Sequence, residues 1–223
     1  MTKAINPERE ARILEAATQL FVHYGYDKTT VNEIAHAAGV SKGVIYLHFD
    51  SKDDLFEALI RHETNAYVEA WMKRIESDAN GGTISSMYRN SLYALNENPF
   101  MAAMFRKDSK VLGSYLHRMG GLFKSEQVQG TRMEFVQMMQ SAGAIRSDLD
   151  AKVIAHIMNI LAYGLVSMQG VVDPDCIPET ADLIEGIADF MDRAITPADG
   201  GNRLAGKEIL RQLIDQSKKD IER

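Results

Sequence analysis

The sequence predicts an all-α protein: an N-terminal three-helix helix-turn-helix head followed by a C-terminal helical domain. Three observations carry this. Apolar residues recur at helical spacing along almost the whole 223-residue chain, and no alternating strand pattern competes with them. Proline is scarce, with five in the chain and three of them at or beyond Pro174, so long helices are unobstructed. Short helical segments near the N-terminus are punctuated by cap residues and glycines at close intervals.

The first helix follows Asn6-Pro7, a cap residue and then proline at the first helical position. Ile13, Leu14, Ala17, Leu20, Phe21 and Tyr24 form its apolar face, and Gly25 ends it. The second opens at Thr30-x-x-Glu33, a capping box, with Val31, Ile34, Ala35 and Ala38 as its inner stripe. Gly39 supplies a turn with positive φ, and Val40 plugs the angle between the helices. Ser41 caps a short third helix whose inward residues are Ile45 and Phe49. Ser51 starts the fourth, with an acidic residue three on at Asp54, and apolar positions carry it to about residue 77. Asn80-Gly81-Gly82 is a break. Further helices are expected at about 84–97, 99–107, 109–142, 150–171 and 178–195. Gly120-Gly121 and Gly130 are expected to kink or divide the third of these. Residues 196–201 read as a linker, and 203–221 as a last polar helix with Ile209, Leu210, Leu213 and Ile214 on one side. The domains expected are thus 1–52, 53–195 and a 196–223 extension, with the helix from about 51 to 77 joining the first two.

Charge and composition narrow the function classes. Net charge is −6, and residues 1–52 carry six basic and six acidic side chains, so the acidic excess lies in residues 53–223. Any nucleic-acid binding must come from a few placed cations and helix N-termini rather than bulk charge. The single cysteine, Cys176, forms no internal disulfide, and no N-terminal apolar stretch resembles a signal peptide, which together point to the cytoplasm. The apolar segment 154–172 is interrupted by His156, Asn159 and Gln169 and falls short of a membrane span.

Thr29 to Lys52 is the informative stretch. Two short helices joined through Ala38-Gly39-Val40-Ser41 make a tight helix-turn-helix. In such motifs the N-terminal end of the second helix meets base edges. Lys42 suits guanine or a phosphate, and Val44 a thymine methyl. Gly43 removes a side chain where DNA must come close. Tyr46 and His48 can donate to phosphate oxygens. Thr30, Ser41 and Lys52 sit at helix N-termini, where backbone N–H groups also attract phosphate.

Here the chain resembles the tetracycline-repressor (TetR) family of regulators. The matching signs are Phe21-x-x-Tyr24-Gly25-Tyr26, Thr29-Thr30-Val31-x-x-Ile34-Ala35, Ala38-Gly39-Val40-Ser41-Lys42-Gly43, Ile45-Tyr46-x-His48-Phe49 and Ser51-Lys52-x-x-Leu55, across roughly residues 8 to 60. The resemblance implies operator contact by Thr30, Lys42, Gly43, Val44, Tyr46, His48 and Lys52. It also implies a small-molecule cavity among the middle helices and a homodimer through about 150–171 and 178–195, where Ala162, Gly164 and Ser167 would admit a facing helix. The function expected is a repressor released from double-stranded operator DNA by an effector; the alternative is a helical adaptor of the same fold without operator binding. The 203–221 tail departs from the family pattern, and covering the core, crossing to a partner and fraying are all open to it.

Ten of the 12 methionines lie between Met87 and Met191, and Met suits both ordinary packing and an adaptable cavity. Candidate effector contacts are Tyr88, Phe105, Phe123, Met133, Met158 and Tyr163, and an acidic domain with such an interior points to an apolar or cationic effector. No metal is expected, because His62, His117 and His156 lack tight ligand spacing. Nor is a cofactor or an enzyme: Gly201-x4-Gly206-Lys207 imitates a phosphate loop but has Glu208 where Ser or Thr would hold magnesium.

Overall fold

The computed structural model describes residues 6–118, 125–168 and 171–221, and among them every regular element is a helix. In chain order these are α1 (Pro7–Tyr24), α2 (Val31–Ala37), α3 (Lys42–His48), α4 (Lys52–Ser77), α5 (Ile84–Asn96), α6 (Pro99–Arg106), α7 (Ser109–Leu112), α8 (Tyr115–Arg118), α9 (Ser125–Ser141), α10 (Ala151–Ser167), α11 (Thr180–Ile195) and α12 (Arg203–Ile221). The expected 109–142 helix is therefore broken after α7 at Gly113, and the break expected at Gly120-Gly121 lies outside the described residues.

Local chemistry sets the boundaries. Asn6 Oδ1 accepts from the Arg9 N–H at 3.2 Å ahead of Pro7. Gly25, at φ 85°, closes α1 with its N–H on the Phe21 carbonyl, 2.9 Å away. A Cβ there would fall 2.1 Å from the Lys110 carbonyl oxygen, so neither the conformation nor the space admits a side chain. Ser51 Oγ accepts from the Asp54 N–H at 3.0 Å, and the Asp54 carboxylate takes the Asp50 N–H at 2.9 Å.

The chain divides into two compact units, Met1–Ala66 with Asn98–Leu122, and Tyr67–Glu97 with Phe123–Arg223. The unit that holds the helix-turn-helix thus extends past residue 52. Its core joins Ile13, Phe21, Ile34, Ile45, Leu55 and Phe56 to Phe100, Leu112 and Tyr115 from α6, α7 and α8. Phe56 is the hub. Its ring meets Phe21 at 4.9 Å, Tyr26 at 4.9 Å, Phe100 at 5.7 Å and Tyr115 at 4.6 Å between centroids, all edge-on.

In the other unit α5 packs on α11, and α9 on both α10 and α12. The tail therefore covers its own unit. Leu210 and Ile214 are buried, and Glu76 near the end of α4 takes Lys207 Nζ at 3.0 Å and a two-bond grip from Arg211 at 2.8 and 3.0 Å. The helix comes so close to the α4–α5 turn that a Cβ on Gly206 would lie 2.3 Å from the Gly82 carbonyl oxygen. Among the described residues no helix is long and apolar enough to cross a membrane.

Candidate DNA-binding surface

The helix-turn-helix is built by α2 and α3. Thr30 closes a reciprocal cap: its hydroxyl accepts from the Glu33 N–H at 3.2 Å, and the Glu33 carboxylate takes the Thr30 N–H and hydroxyl, each at 2.8 Å. The Thr30 backbone and hydroxyl bonds hold the Glu33 carboxyl below its ordinary value. At the corner Gly39 has φ 65°, and half-buried Val40 returns its N–H to the Ala35 carbonyl at 2.9 Å. Ser41 Oγ then caps α3 through the Val44 N–H at 3.3 Å.

Helix α3 has two faces. Ile45, within the helix, and Phe49, just past its end, are buried in the head core, at 1% and 4% exposure. Ser41, Lys42, Gly43, Tyr46 and Leu47 face outward, and Val44 is half-buried at the edge. Lys42 Nζ hovers 5.8 Å from the Tyr46 ring centroid, so the ammonium and phenol present together. A Cβ on Gly43 would meet only Ser41 Oγ, at 3.8 Å, so nothing inside the chain requires glycine there.

Two expected phosphate donors are placed differently. The His48 side chain is 4% exposed and faces α1, with Nδ1 3.5 Å from Glu10 Oε2. It stands on the inner edge of the last turn of α3, and its imidazole closes the head rather than projecting from it. Lys52 turns back on its own unit: its Nζ donates to the Tyr26 carbonyl and lies 4.1 Å from the Tyr26 ring centroid. The His48 assignment rested on its donor chemistry and that of Lys52 on its place at a helix N-terminus, and neither reveals an inward partner. Leu47 is the residue the sequence reading passed over. It is 56% exposed, and its spacing of four from Gly43 on α3 was the available signal.

The effector candidates scatter. Tyr88 and Met158 are buried together, the Tyr88 hydroxyl donating to the Met158 carbonyl. Met133 is half-buried in the same unit, whereas half-buried Phe105 belongs to the head unit. Tyr163 is 52% exposed and aligns with Val153, Ile157 and Ile160 on the outer side of α10, so it is no interior residue. Phe123 lies outside the described residues. Ala162 is buried, turned away from the face it was expected to open, while a Cβ on Gly164 would meet open space.

Residues 13–59 match the family model for bacterial regulatory proteins of the tetR family. The head, over these residues, is thus of the tetR type. Along most of its length the chain is also similar to the HTH-type transcriptional repressor Rv1474c of Mycobacterium tuberculosis, at 26% identity over 79% of this chain and 91% of the relative. Its fold matches that of the transcriptional regulator FadR from Bacillus subtilis, solved with stearoyl-CoA, with TM-score 0.60, 18% identity and coverage of 81% and 96% of the two chains. It likewise matches AibR, solved with isovaleryl coenzyme A and operator DNA, with TM-score 0.57, 19% identity and coverage of 82% and 97%. The chain is thus a helix-turn-helix, DNA-binding transcriptional regulator.

Proposed function

We propose that this regulator is a cytoplasmic repressor that binds operator DNA as a homodimer and is released by a small-molecule effector. The observation that carries the reading is the outer face of α3, where Lys42, Gly43 and Tyr46 stand exposed on a helix whose opposite side is fixed by Ile45 and Phe49. In this reading residues 1–52 make the operator contacts. Lys42 and Val44 address base edges, Tyr46 donates to a phosphate, and the capped starts of α2 and α3 at Thr30 and Ser41 offer backbone N–H groups to the DNA backbone. Gly43 keeps the approach open. Leu47 joins the surface, and His48 and Lys52 act by holding α3 and the start of α4 in place.

Residues 53–195 hold the effector and the dimer contact. The support for the dimer is an apolar stripe of exposed Val153, Ile157, Ile160 and Tyr163 on α10 with Phe190, 76% exposed, on α11. Such a stripe is costly to leave in water and suits a second copy. The support for an effector comes from relatives: FadR with stearoyl-CoA, and AibR with isovaleryl coenzyme A and operator DNA. An effector acts through its differential affinity for the DNA-competent and released states, and about 1.4 kcal/mol of coupling gives a tenfold release.

A gel shift and footprint on the DNA upstream of the protein's own gene test the reading. The expected result is one shifted complex protecting two half-sites of a near-palindrome, about one helical turn or a multiple apart. Failure of the dimer to prefer that DNA over unrelated duplex overturns it.

A further inference from the structure

Arg132, in the middle of α9, lies on the inward side of that helix. It stands four residues before Val136 and seven before Met139, both fully buried, and this spacing puts all three on one face. Its Nη1 is shielded from solvent and has no hydrogen-bond partner among the described residues. No described carboxylate stands within ion-pairing distance of it either.

Two phenols sense its charge, Tyr67 from α4 and Tyr88 from α5. Burial raises both, Tyr88 to about 12, and the guanidinium only partly offsets the rise. Both phenols are therefore neutral at physiological pH and supply no countercharge. The Tyr88 hydroxyl is already engaged by the Met158 carbonyl. Arg132 as a whole is half-buried, yet its Nη1 is cut off from water with no acceptor among the described residues. A shielded guanidinium N–H left unmet costs free energy, and a charge-assisted bond to an anion's oxygen meets it best.

We infer that Arg132 is the anchor for the acidic head of an amphipathic effector, a carboxylate or a phosphate, whose apolar part lies among neighbours such as Met139 and Met158. This rests on the reading of the α4, α5, α9 and α10 unit as the effector domain, and it narrows that reading to an anion. A cationic effector, one of the two classes the acidic composition suggested, would meet an unpaired positive charge. Methionine flexibility around a fixed guanidinium suits a ligand with one invariant end and a variable chain.

The single tryptophan provides the assay. Trp71 is in the same unit, its ring 6.3 Å from that of Tyr67, and its Nε1 donates to the Met87 carbonyl at 2.8 Å. Its fluorescence is followed in DNA-free dimer during titration with dodecanoate, dodecanoyl-CoA and dodecanol. At least one of the two anions is expected to bind about tenfold or more tightly than the alcohol, as a charge-assisted hydrogen bond provides. Arg132→Gln should abolish that preference without weakening dodecanol, and Arg132→Lys should keep part of it. A response to dodecanoate identifies a carboxylate head; a response to dodecanoyl-CoA alone identifies the phosphates.

Equal binding of alcohol and anion, no binding of either anion, or an unchanged preference in Arg132→Gln overturns the inference. A melting curve without probe guards the folding question. An unpaired guanidinium predicts that Arg132→Gln melts no lower than wild type, and a clearly lower midpoint would mean that Arg132 has a structural partner and is no anchor. Because these readouts contain no DNA, they stand or fall separately from the gel shift that tests operator binding.

Discussion

Replacing Tyr46 by alanine separates the two faces of α3 by one residue. Tyr46 is 43% exposed, and among the described residues its ring has one charged neighbour, Lys42 Nζ at 5.8 Å. Losing an exposed cation–π contact of that length costs about 0.5–1 kcal/mol, and the better helix propensity of alanine returns a few tenths. The melting midpoint should therefore move by less than about 3 °C. Operator binding should respond far more. A phenol donating to a charged phosphate oxygen contributes about 1.5 kcal/mol or more, and a dimer loses two such bonds, so affinity should fall by roughly a hundredfold. Ile45→Ala is the internal control. Ile45 is 1% exposed, and its truncation should cost about 2–5 kcal/mol of stability through the cavity it leaves. Fluorescence anisotropy on labelled operator and calorimetric melting, run on both variants, give the two readouts. The reasoning fails if Tyr46→Ala holds the operator within about threefold of wild type. It also fails if that variant melts as early as Ile45→Ala.

Three further outcomes follow from the geometry. Gly25→Ala must place a Cβ 2.1 Å from the Lys110 carbonyl oxygen at φ 85°, so it should destabilise the head unit by well over about 1 kcal/mol in urea unfolding. Ile160→Glu puts a charge in the outer stripe of α10 and should shift the dimer to monomer by sedimentation velocity, with unchanged helical circular dichroism. Hydrogen bonds from Lys207 and then Arg211 hold the Glu76 carboxyl below its ordinary 4.5. A depressed folded value means that its contribution is complete above the ordinary value and disappears as pH falls through the lowered one. The loss of midpoint between neutral and strongly acidic pH should therefore be smaller in Glu76→Gln than in wild type, and identical profiles would remove the pair from the account of how α12 is held.

Helix positions were legible because each carries its own punctuation: Asn6-Pro7, Thr30 with Glu33, Ser41, Ser51 and Gly25 act within a turn or two of the bond they make. The outward pair Lys42 and Tyr46 was legible for the same reason, since a seven-residue helix with Ile45 inward fixes what points outward. Long-range partners were not. Nothing near His48 announces Glu10, and nothing near Lys52 announces the Tyr26 carbonyl. Tyr163 and Phe105 are apolar residues on helices, and composition does not say which side of the helix faces a neighbour. Arg132 was passed over although its spacing to Val136 and Met139 was in view, because a lone arginine on a polar helix reads as solvated until the packing is known.

The bonds between the turn after α1 and the α7–α8 corner bear on how this head can be isolated. Tyr26 donates its N–H to the Val111 carbonyl at 2.8 Å, and Asp27 takes the Ser114 N–H and hydroxyl at 2.9 and 2.5 Å. A fragment cut after about residue 66 would keep every side chain proposed to read bases and still lose these clamps, along with the aromatic lids that Phe100 and Tyr115 place over Phe56. Its greasy underside would be laid open, and self-association would masquerade as poor DNA affinity. The smallest honest reader of the operator is not a contiguous stretch of this polypeptide.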